Sequence, residues 1–416
     1  MEQENLKLLT MEELIMTTMF LIIIYLSFIS LGLPDSILGS AWPVMWSDLG
    51  ASFGAAGIIS MTVAGGTIVS SLMSGRVIQK LGTGKVTLIS CCLTAGALLG
   101  ISYSPSLVWL IVLAIPLGIG AGAVDSALNN YVAENYKAHH MNWLHCFWGI
   151  GATTGPIIMS YYIAEHNSWR GGYTAVAVIQ WVLVIILLVT LPLWKKVAAK
   201  HKEESLEEGF PADAKESTSS NANSNRKIIN IPGVKPTLIA FLFYCGAEST
   251  VGLWGASYLV GAKNLSAETA AGWVSLYYAG ITIGRMVTGF ISLKVPNRIL
   301  IRGGQIIAIV GGIVLLLPLP AVISLIGYIL VGLGLAPIFP GLLHETPARF
   351  GGENSAKLMG YQMATAYVGS TFLAPVFGLI ATKVSINLFP VVVFIYLMSI
   401  WLASEKVTLS LRKRKQ

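Results

Sequence analysis

The chain carries ionisable and amide side chains inside long apolar runs, where they could bind a proton or hydrogen-bond a polar molecule. The stretch GIGAGAVDSALNNYV contains Asp125 and Asn129, which are four positions apart and therefore share one helical face. The next apolar run opens with MNWLHCFWGIGATTGP, which contains Asn142 and His145. Because an acid inside hydrocarbon is costly, its presence indicates a function. These four residues are predicted to form one polar cluster.

Two further acids lie in apolar runs. Asp35 follows Pro34 in GLPDSILGSAWP, and a proline frees backbone carbonyls that a lined cavity can satisfy. Glu248 lies in FYCGAESTVGLWGASYL, with Trp254 further along the same segment. A carboxylate among aromatic rings suits a sugar, because its hydroxyls form hydrogen bonds and its C–H face packs on rings. Each acid could instead be a structural group that is hydrogen-bonded to a neighbouring helix.

Two uncharged residues in a late apolar run are also candidates. The segment MGYQMATAYVGSTF offers Gln362 and Tyr361 as hydrogen-bonding groups for a substrate, although polar contacts between helices are the commoner role of such residues. Arg285, in GRMVTG, is interpreted as the partner of a conformational ion pair rather than as a ligand.

The composition indicates the environment of these residues. Only 11% of the residues are charged and 54% are hydrophobic, whereas soluble domains carry roughly 25% charged residues. The chain is therefore predicted to be an integral membrane protein in contact with the lipid bilayer. The net charge of +7 is explained by basic loops and does not indicate nucleic-acid binding.

The sequence does not favour an enzyme. HETPAR lacks the last histidine of the H-E-x-x-H zinc motif, because Ala348 occupies that position. No G-x-S-x-G elbow or P-loop occurs, and the four cysteines lie in apolar segments. No cofactor and no metal site are predicted.

The apolar runs form two sets of six, and a membrane-spanning helix needs about 20 such residues. They lie near 16–41, 51–74, 85–103, 107–131, 143–165 and 173–194, and then near 237–260, 268–293, 299–317, 321–344, 355–380 and 384–404. The fold class is therefore an all-α membrane protein of twelve transmembrane helices. Its predicted units are an N-terminal bundle (1–194), a linker (195–236) and a C-terminal bundle (237–416).

The basic residues predict the orientation. With the N-terminus inside, the short outer loops contain only Arg170, Lys263 and Lys383 of the 27 basic residues. Both termini are therefore expected in the cytoplasm, with the chain in the plasma membrane.

A short pattern repeats in the two sets of spans. SGRVIQKLGTGK follows the second span and TGFISLKVPNR ends the eighth, so that aligning Gly75 with Gly289 places Lys80 on Lys294. Glycine allows helices to approach closely, and basic residues anchor a loop at the inner membrane face. Gly75, Lys80, Gly289 and Arg285 are therefore predicted to serve conformational change.

Two six-helix halves with paired basic loops resemble the major facilitator superfamily. That family has a G-x-x-x-D-R-x-G-R/K-R/K loop after the second span. Gly75, Lys80 and Gly82 fit this pattern, while Gln79 replaces the aspartate. The resemblance implies two pseudo-symmetric six-helix bundles, transport by alternating access, and a monomer.

The fourth and fifth spans resemble those of the L-fucose:proton symporter family. In that family an acid is followed four positions later by Asn, and then by an N-x-x-Q-x-F-x-x-x-G run. The matching residues here are Asp125, Asn129, Asn142, Phe147 and Gly151. His145 stands where the family has Gln, and Asp35 matches an acidic position of the first span.

The resemblance implies proton-coupled import of a monosaccharide, with Asp125 and Asp35 as the proton-coupling residues. The predicted substrate contacts are Asn129, Asn142, His145, Glu248, Gln362, Trp254 and Tyr361. Protonation removes a charge whose desolvation opposes closure of a cavity, so substrate and proton can move together. The residues leave two alternatives open: sodium could replace the proton, and the chain could be a drug or metabolite exporter of the same fold.

Overall fold

The computed structural model describes the backbone of residues 2–136, 138–207, 229–292 and 294–415, and the side chains of 18–132, 136, 140, 143–194, 229–292, 294–351 and 358–412. All the regular secondary structure in these ranges is helical. The helices are α1 (Glu2–Asp48), α2 (Ala55–Leu81), α3 (Thr83–Ser102), α4 (Leu107–Asn135), α5 (Ala138–His166), α6 (Trp169–Glu207), α7 (Val234–Lys263), α8 (Ala267–Ile291), α9 (Asn297–Leu316), α10 (Ala321–Leu335), α11 (Ile338–His344), α12 (Thr346–Phe350), α13 (Gly352–Lys383) and α14 (Phe389–Lys415).

Eleven segments of the described chain are helices long and apolar enough to cross a membrane. The predicted fifth span forms the 29-residue helix α5, which is not among these eleven segments. The predicted tenth span is interrupted between α10 and α11, at Ala336 and Pro337, where proline cannot donate a backbone hydrogen bond. The prediction of an all-α membrane protein is confirmed.

The segment between the two sets of spans is partly helical. Helix α6 continues to Glu207, through the first part of the predicted linker, because the charged sequence KKVAAKHKEE is rich in good helix formers. Residues 208–228 lie outside the described part of the chain. Helix α7 begins at Val234, close to the predicted start of the second bundle. The division into two bundles and a linker remains a prediction.

Close helix contacts at glycines occur in equivalent helix pairs of the two halves. In the N-terminal half, a side chain at Gly151 of α5 would clash with the backbone oxygen of Ile29 in α1. The equivalent contact in the C-terminal half joins Gly369 of α13 to the backbone oxygen of Leu242 in α7. Because only glycine permits such an approach, these positions fix how the helices pack.

The two halves also meet closely at the end of the molecule remote from the termini. Gly39, near the end of α1, packs against the backbone of Gly252 in α7, and a Cβ atom there would clash with the Gly252 oxygen. Phe53 lies beside Trp254, with ring centroids 5.3 Å apart. This surface, formed by Gly39, Gly252, Phe53 and Trp254, is called the remote seal below.

A second line of contact between the halves runs along α5 and α8. Ser160 Oγ donates to the backbone oxygen of Glu268 over 2.7 Å, near the remote end. Towards the terminal end, Trp143 and Phe290 lie with ring centroids 6.2 Å apart. The halves therefore touch along most of this helix pair.

Gly39→Val is expected to open the remote seal. Overpacking a close contact typically costs about 1–3 kcal/mol, which is enough to shift a two-state equilibrium by roughly 5- to 150-fold. Hydrogen–deuterium exchange should become faster in residues 36–57 and 250–263. Gly65→Val is the matched control, because a Cβ atom there meets nothing within 4 Å. Unchanged exchange at the seal in Gly39→Val would contradict the expectation.

Candidate functional site

A central cavity of about 790 Å³, including its open mouth, lies between the two halves. It is bounded by polar, ionisable and aromatic side chains from both. They are Phe28, Leu31, Asp35, Thr67, Ala121, Asp125, His145, Trp148, Glu248, Arg285, Phe339 and Tyr367. The cavity thus brings together three of the acids singled out in the sequence, which lie on α1, α4 and α7.

The two acids of the N-terminal half have different partners. Asp125 Oδ1 accepts a hydrogen bond of 2.8 Å from Asn129 Nδ2, as their spacing on one helical face predicts. The buried Oδ1 atom of Asn129 has no hydrogen-bond partner among the described residues. Asp35 Oδ2 accepts a hydrogen bond of 2.8 Å from the indole of Trp148. The two carboxylates are therefore held by separate donors within one cavity.

The acid of the C-terminal half is paired with a base. Glu248 Oε1 lies 3.4 Å from Arg285 Nη2, and the two side chains are only 18% and 13% exposed. Arg285 also donates to Tyr244 Oη over 3.3 Å. The sequence indicated an ion pair for Arg285 but did not identify its partner, because the two residues lie on neighbouring helices and are 37 positions apart.

The aromatic ring of Trp148 lies between these groups. The guanidinium carbon of Arg285 is 5.4 Å from the ring centroid, and the Tyr278 ring is 6.4 Å away, edge-on. The structure places Trp148 in the cavity wall, in contact with both halves.

Of the two remaining members of the predicted polar cluster, the structure describes the side chain of His145 only. His145 lines the cavity and meets Phe28 edge-on, with ring centroids 6.0 Å apart. Asn142 lies outside the residues whose side chains the structure describes. Asp125 and His145 thus line the same cavity, whereas Asn129 is bonded to Asp125 without being part of the cavity wall.

Three further predicted substrate contacts, like Asn129, are not part of the cavity wall in this conformation. Gln362 is fully buried, and its Nε2 donates to Thr346 Oγ1 over 2.9 Å. Trp254 is fully buried in the remote seal and donates to the backbone oxygen of Ala374 over 2.7 Å. Tyr361 is half-buried and is not part of the cavity wall. For Gln362 and Trp254, helix packing satisfies the polar atoms that the sequence assigned to substrate.

The predicted conformational glycines have no close neighbours among the residues that the structure describes. Neither Gly75 nor Gly289 has a described atom within 4 Å of an added Cβ atom, so the structure shows no close helix approach there between described residues. Lys80 is exposed near the end of α2. Arg285 differs from these three because it lies in the cavity wall.

Seven residues of the cavity wall were not assigned a function from the sequence: Phe28, Leu31, Thr67, Ala121, Trp148, Phe339 and Tyr367. They are ordinary residues of apolar helices, and nothing in their spacing separates cavity-facing from lipid-facing positions. Phe339 follows the break at Pro337, which is the one local signal that could have directed attention to it.

Gln362→Leu is expected to affect stability rather than substrate binding. Loss of the bond to Thr346 should cost about 1 kcal/mol, because Thr346 Oγ1 keeps the Leu342 oxygen as a partner. The midpoint of unfolding in mixed detergent micelles should fall, while the KM for transport stays unchanged. A raised KM without a stability change would instead support the original assignment of Gln362 to the substrate.

The sequence matches the Major Facilitator Superfamily family model over residues 24–375. Since this is most of the chain, the protein belongs to that superfamily of membrane transporters, and it is a transporter rather than an enzyme. The predicted superfamily is confirmed.

Individual relatives include a glucose/mannose transporter. The chain is 23% identical to Bypass of stop codon protein 6 of Saccharomyces cerevisiae, over 64% of this chain and 55% of that one. It is 26% identical to the glucose/mannose transporter GlcP of Bacillus subtilis, over 56% of each chain. The chain thus spans about half the length of these relatives. A crystal structure of a D-xylose-proton symporter has a similar fold, with a TM-score of 0.69, 13% identity, and coverage of 92% of this chain and 96% of that one.

Proposed function

We propose that the protein imports a monosaccharide or a related hydrophilic molecule together with protons. The observation that carries the proposal is the convergence of Asp35, Asp125 and Glu248 on one cavity between the two halves. A midplane site between two repeats is where transporters of this architecture bind their cargo. Alternating exposure of this cavity to the two membrane faces would move the substrate.

The cavity wall suits a hydroxylated cargo. Carboxylate oxygens, the Arg285 guanidinium and His145 can exchange hydrogen bonds with hydroxyl groups, and Trp148 offers a ring for the C–H face of a sugar. The similarity to a glucose/mannose transporter supports the same substrate class.

The charges in the wall support coupling to a cation. Three carboxylates face one guanidinium, and Arg285 already pairs with Glu248. Asp35 and Asp125 therefore leave an excess of negative charge that protons would neutralise, and neutral side chains can be enclosed at lower cost than charged ones. The solved xylose symporter of the same fold is coupled to protons, which supports protons over sodium.

The proposal also includes the membrane in which the protein lies, its orientation, its division into two bundles and its oligomeric state. The transporter would lie in the plasma membrane with both termini in the cytoplasm, and residues 195–236 would link its two bundles. A monomer is proposed, because the cavity is built within one chain.

The test is uptake of radiolabelled sugars into proteoliposomes. D-glucose, D-mannose, D-xylose and L-fucose would each be offered with an imposed pH gradient, with an imposed sodium gradient, and with neither. Accumulation driven by the pH gradient and abolished by a protonophore is expected for at least one sugar. Accumulation driven only by the sodium gradient would show that sodium, and not the proton, is the coupling ion.

An exporter of drugs or metabolites is the second candidate. The observation favouring it is the apolar part of the cavity wall, formed by Phe28, Leu31 and Phe339. Proton-driven extrusion of a lipophilic cation by these proteoliposomes, without transport of any sugar, would support it over import.

A further inference from the structure

We propose that Trp148 is a positioning residue that couples the charge on Asp35 in one half of the transporter to the Glu248–Arg285 pair in the other. The transport part of this inference depends on the proposed function, whereas the spectroscopic part does not. Trp148 is one side chain that contacts an anion on α1 and a cation on α8 at the same time.

The two contacts use different parts of the indole. The ring N–H donates to Asp35 Oδ2 over 2.8 Å, and the face of the same ring lies 5.4 Å from the Arg285 guanidinium carbon. A hydrogen bond to an ionised acceptor is stronger than one to a neutral acceptor, and a ring face attracts a cation. The orientation that satisfies Asp35 is therefore also the one that presents the ring to Arg285.

The backbone that carries Trp148 is fixed on both sides. On one side, the Trp148 carbonyl is packed so closely against Gly32 of α1 that a side chain there would clash with it. On the other side, Gly149 packs against Thr282 of α8, where a Cβ atom would clash with the hydroxyl. Because the backbone at Trp148 is closely packed against both halves, it has little room to move. The indole side chain can change position there mainly by rotating about its side-chain bonds.

Protonation of Asp35 weakens the bond that holds the indole. A protonated carboxyl is a poorer acceptor for the N–H group, so the ring loses its preferred orientation and its contact with Arg285. Arg285 then keeps Glu248 and Tyr244 as its partners. Proton binding in the N-terminal half is thereby transmitted to the pair in the C-terminal half.

Other charged and titratable groups also face Asp35 across the cavity and must be separated from it experimentally. They are Asp125 of α4, His145 of α5, Glu248 of α7, Tyr278 and Arg285 of α8, and Tyr367 of α13. Variants of individual acids distinguish Asp35 from the rest.

The first test is the indole fluorescence of the full chain in detergent micelles, without substrate, as a function of pH. Subtracting the spectrum of Trp148→Phe from that of the wild type gives the signal of Trp148. This signal is expected to titrate with pH, to lose its titration in an Asp35→Asn background, and to keep it in an Asp125→Asn background. Trp143→Phe is the matched control: it removes another α5 tryptophan that contacts the second half but does not line the cavity.

The second test is transport by Trp148→Phe, which keeps an aromatic ring and lacks the N–H donor. Accumulation of sugar under a pH gradient should be lost, whereas exchange of labelled for unlabelled sugar at equal pH should fall by a smaller factor, because the phenyl ring still offers a face to the sugar. A ring needed only for packing would lower both to a similar extent, and that result would overturn the proposal.

A Trp148 signal that does not titrate, or that still titrates in Asp35→Asn, would also overturn it. If Trp148→Phe fails to fold, the fluorescence titrations of the wild type and of Asp35→Asn are compared directly. Identical curves would overturn the proposal. If the wild type transports no sugar, the proposed function fails, and the fluorescence titration still decides the role of Trp148.

Discussion

Asp125→Asn is expected to remove accumulation of sugar against its gradient. A difference of one pH unit stores about 1.4 kcal/mol per proton, so one coupled proton supports roughly tenfold accumulation. Asparagine has nearly the same size and can still accept the bond from Asn129 that Asp125 accepts over 2.8 Å. The cavity should therefore keep its shape while the proton site is lost, and the ratio of internal to external sugar should fall from roughly tenfold to one.

The measurement is sugar uptake in proteoliposomes with the interior one pH unit more alkaline, compared with exchange at equal pH. Exchange should persist in Asp125→Asn. Asp48→Asn is the control, since Asp48 is also an acid of a membrane helix but binds Arg170 and Trp169 outside the central cavity. Wild-type accumulation in Asp125→Asn would exclude Asp125 from the coupling.

The second large effect is expected from breaking the ion pair in the cavity wall. Arg285→Gln leaves Glu248 largely buried without its base. Removing one partner of a fully buried pair costs about 3–5 kcal/mol, and partial exposure to the cavity should reduce this to roughly 2–3 kcal/mol. The loss is measured as a lower midpoint of SDS-induced unfolding in mixed micelles.

The double variant tests whether this loss comes from the pair itself. Glu248→Gln combined with Arg285→Gln removes both charges. The unfolding midpoint of this double variant should return most of the way from the Arg285→Gln value to the wild-type value. Additive losses from the two single variants would mean that the groups do not interact across their 3.4 Å separation.

Much of this architecture could be predicted from the sequence, for a simple physical reason. Membrane helices must be long and apolar, so the spans stand out, and an acid within one of them has few structural explanations. Asp35, Asp125 and Glu248 were singled out on this ground, and all three reach the cavity. The spacing of Asp125 and Asn129 also predicted their hydrogen bond.

The sequence could not predict which face of each helix borders the cavity. Gln362 and Trp254 looked as suitable as Glu248, yet they pack against Thr346 and Ala374. Periodicity identifies residues that share a face, whereas the rotation of a helix within a bundle depends on contacts with its neighbours. At Trp148 those contacts are glycine contacts to α1 and α8, which only the three-dimensional structure displays.

The side-chain amide of Asn129 forms a hydrogen bond through only one of its two polar atoms among the described residues. Its nitrogen serves Asp125, and its oxygen meets no partner among the described residues. An ionised carboxylate needs a donor, whereas a carboxylic acid has a hydrogen to give, and a carboxamide turned over by half a rotation offers an acceptor in place of the donor. Asn129 can therefore donate a hydrogen bond to Asp125 when Asp125 is ionised and accept one when Asp125 is protonated. Neither leucine nor aspartate at that position would offer both a donor and an acceptor.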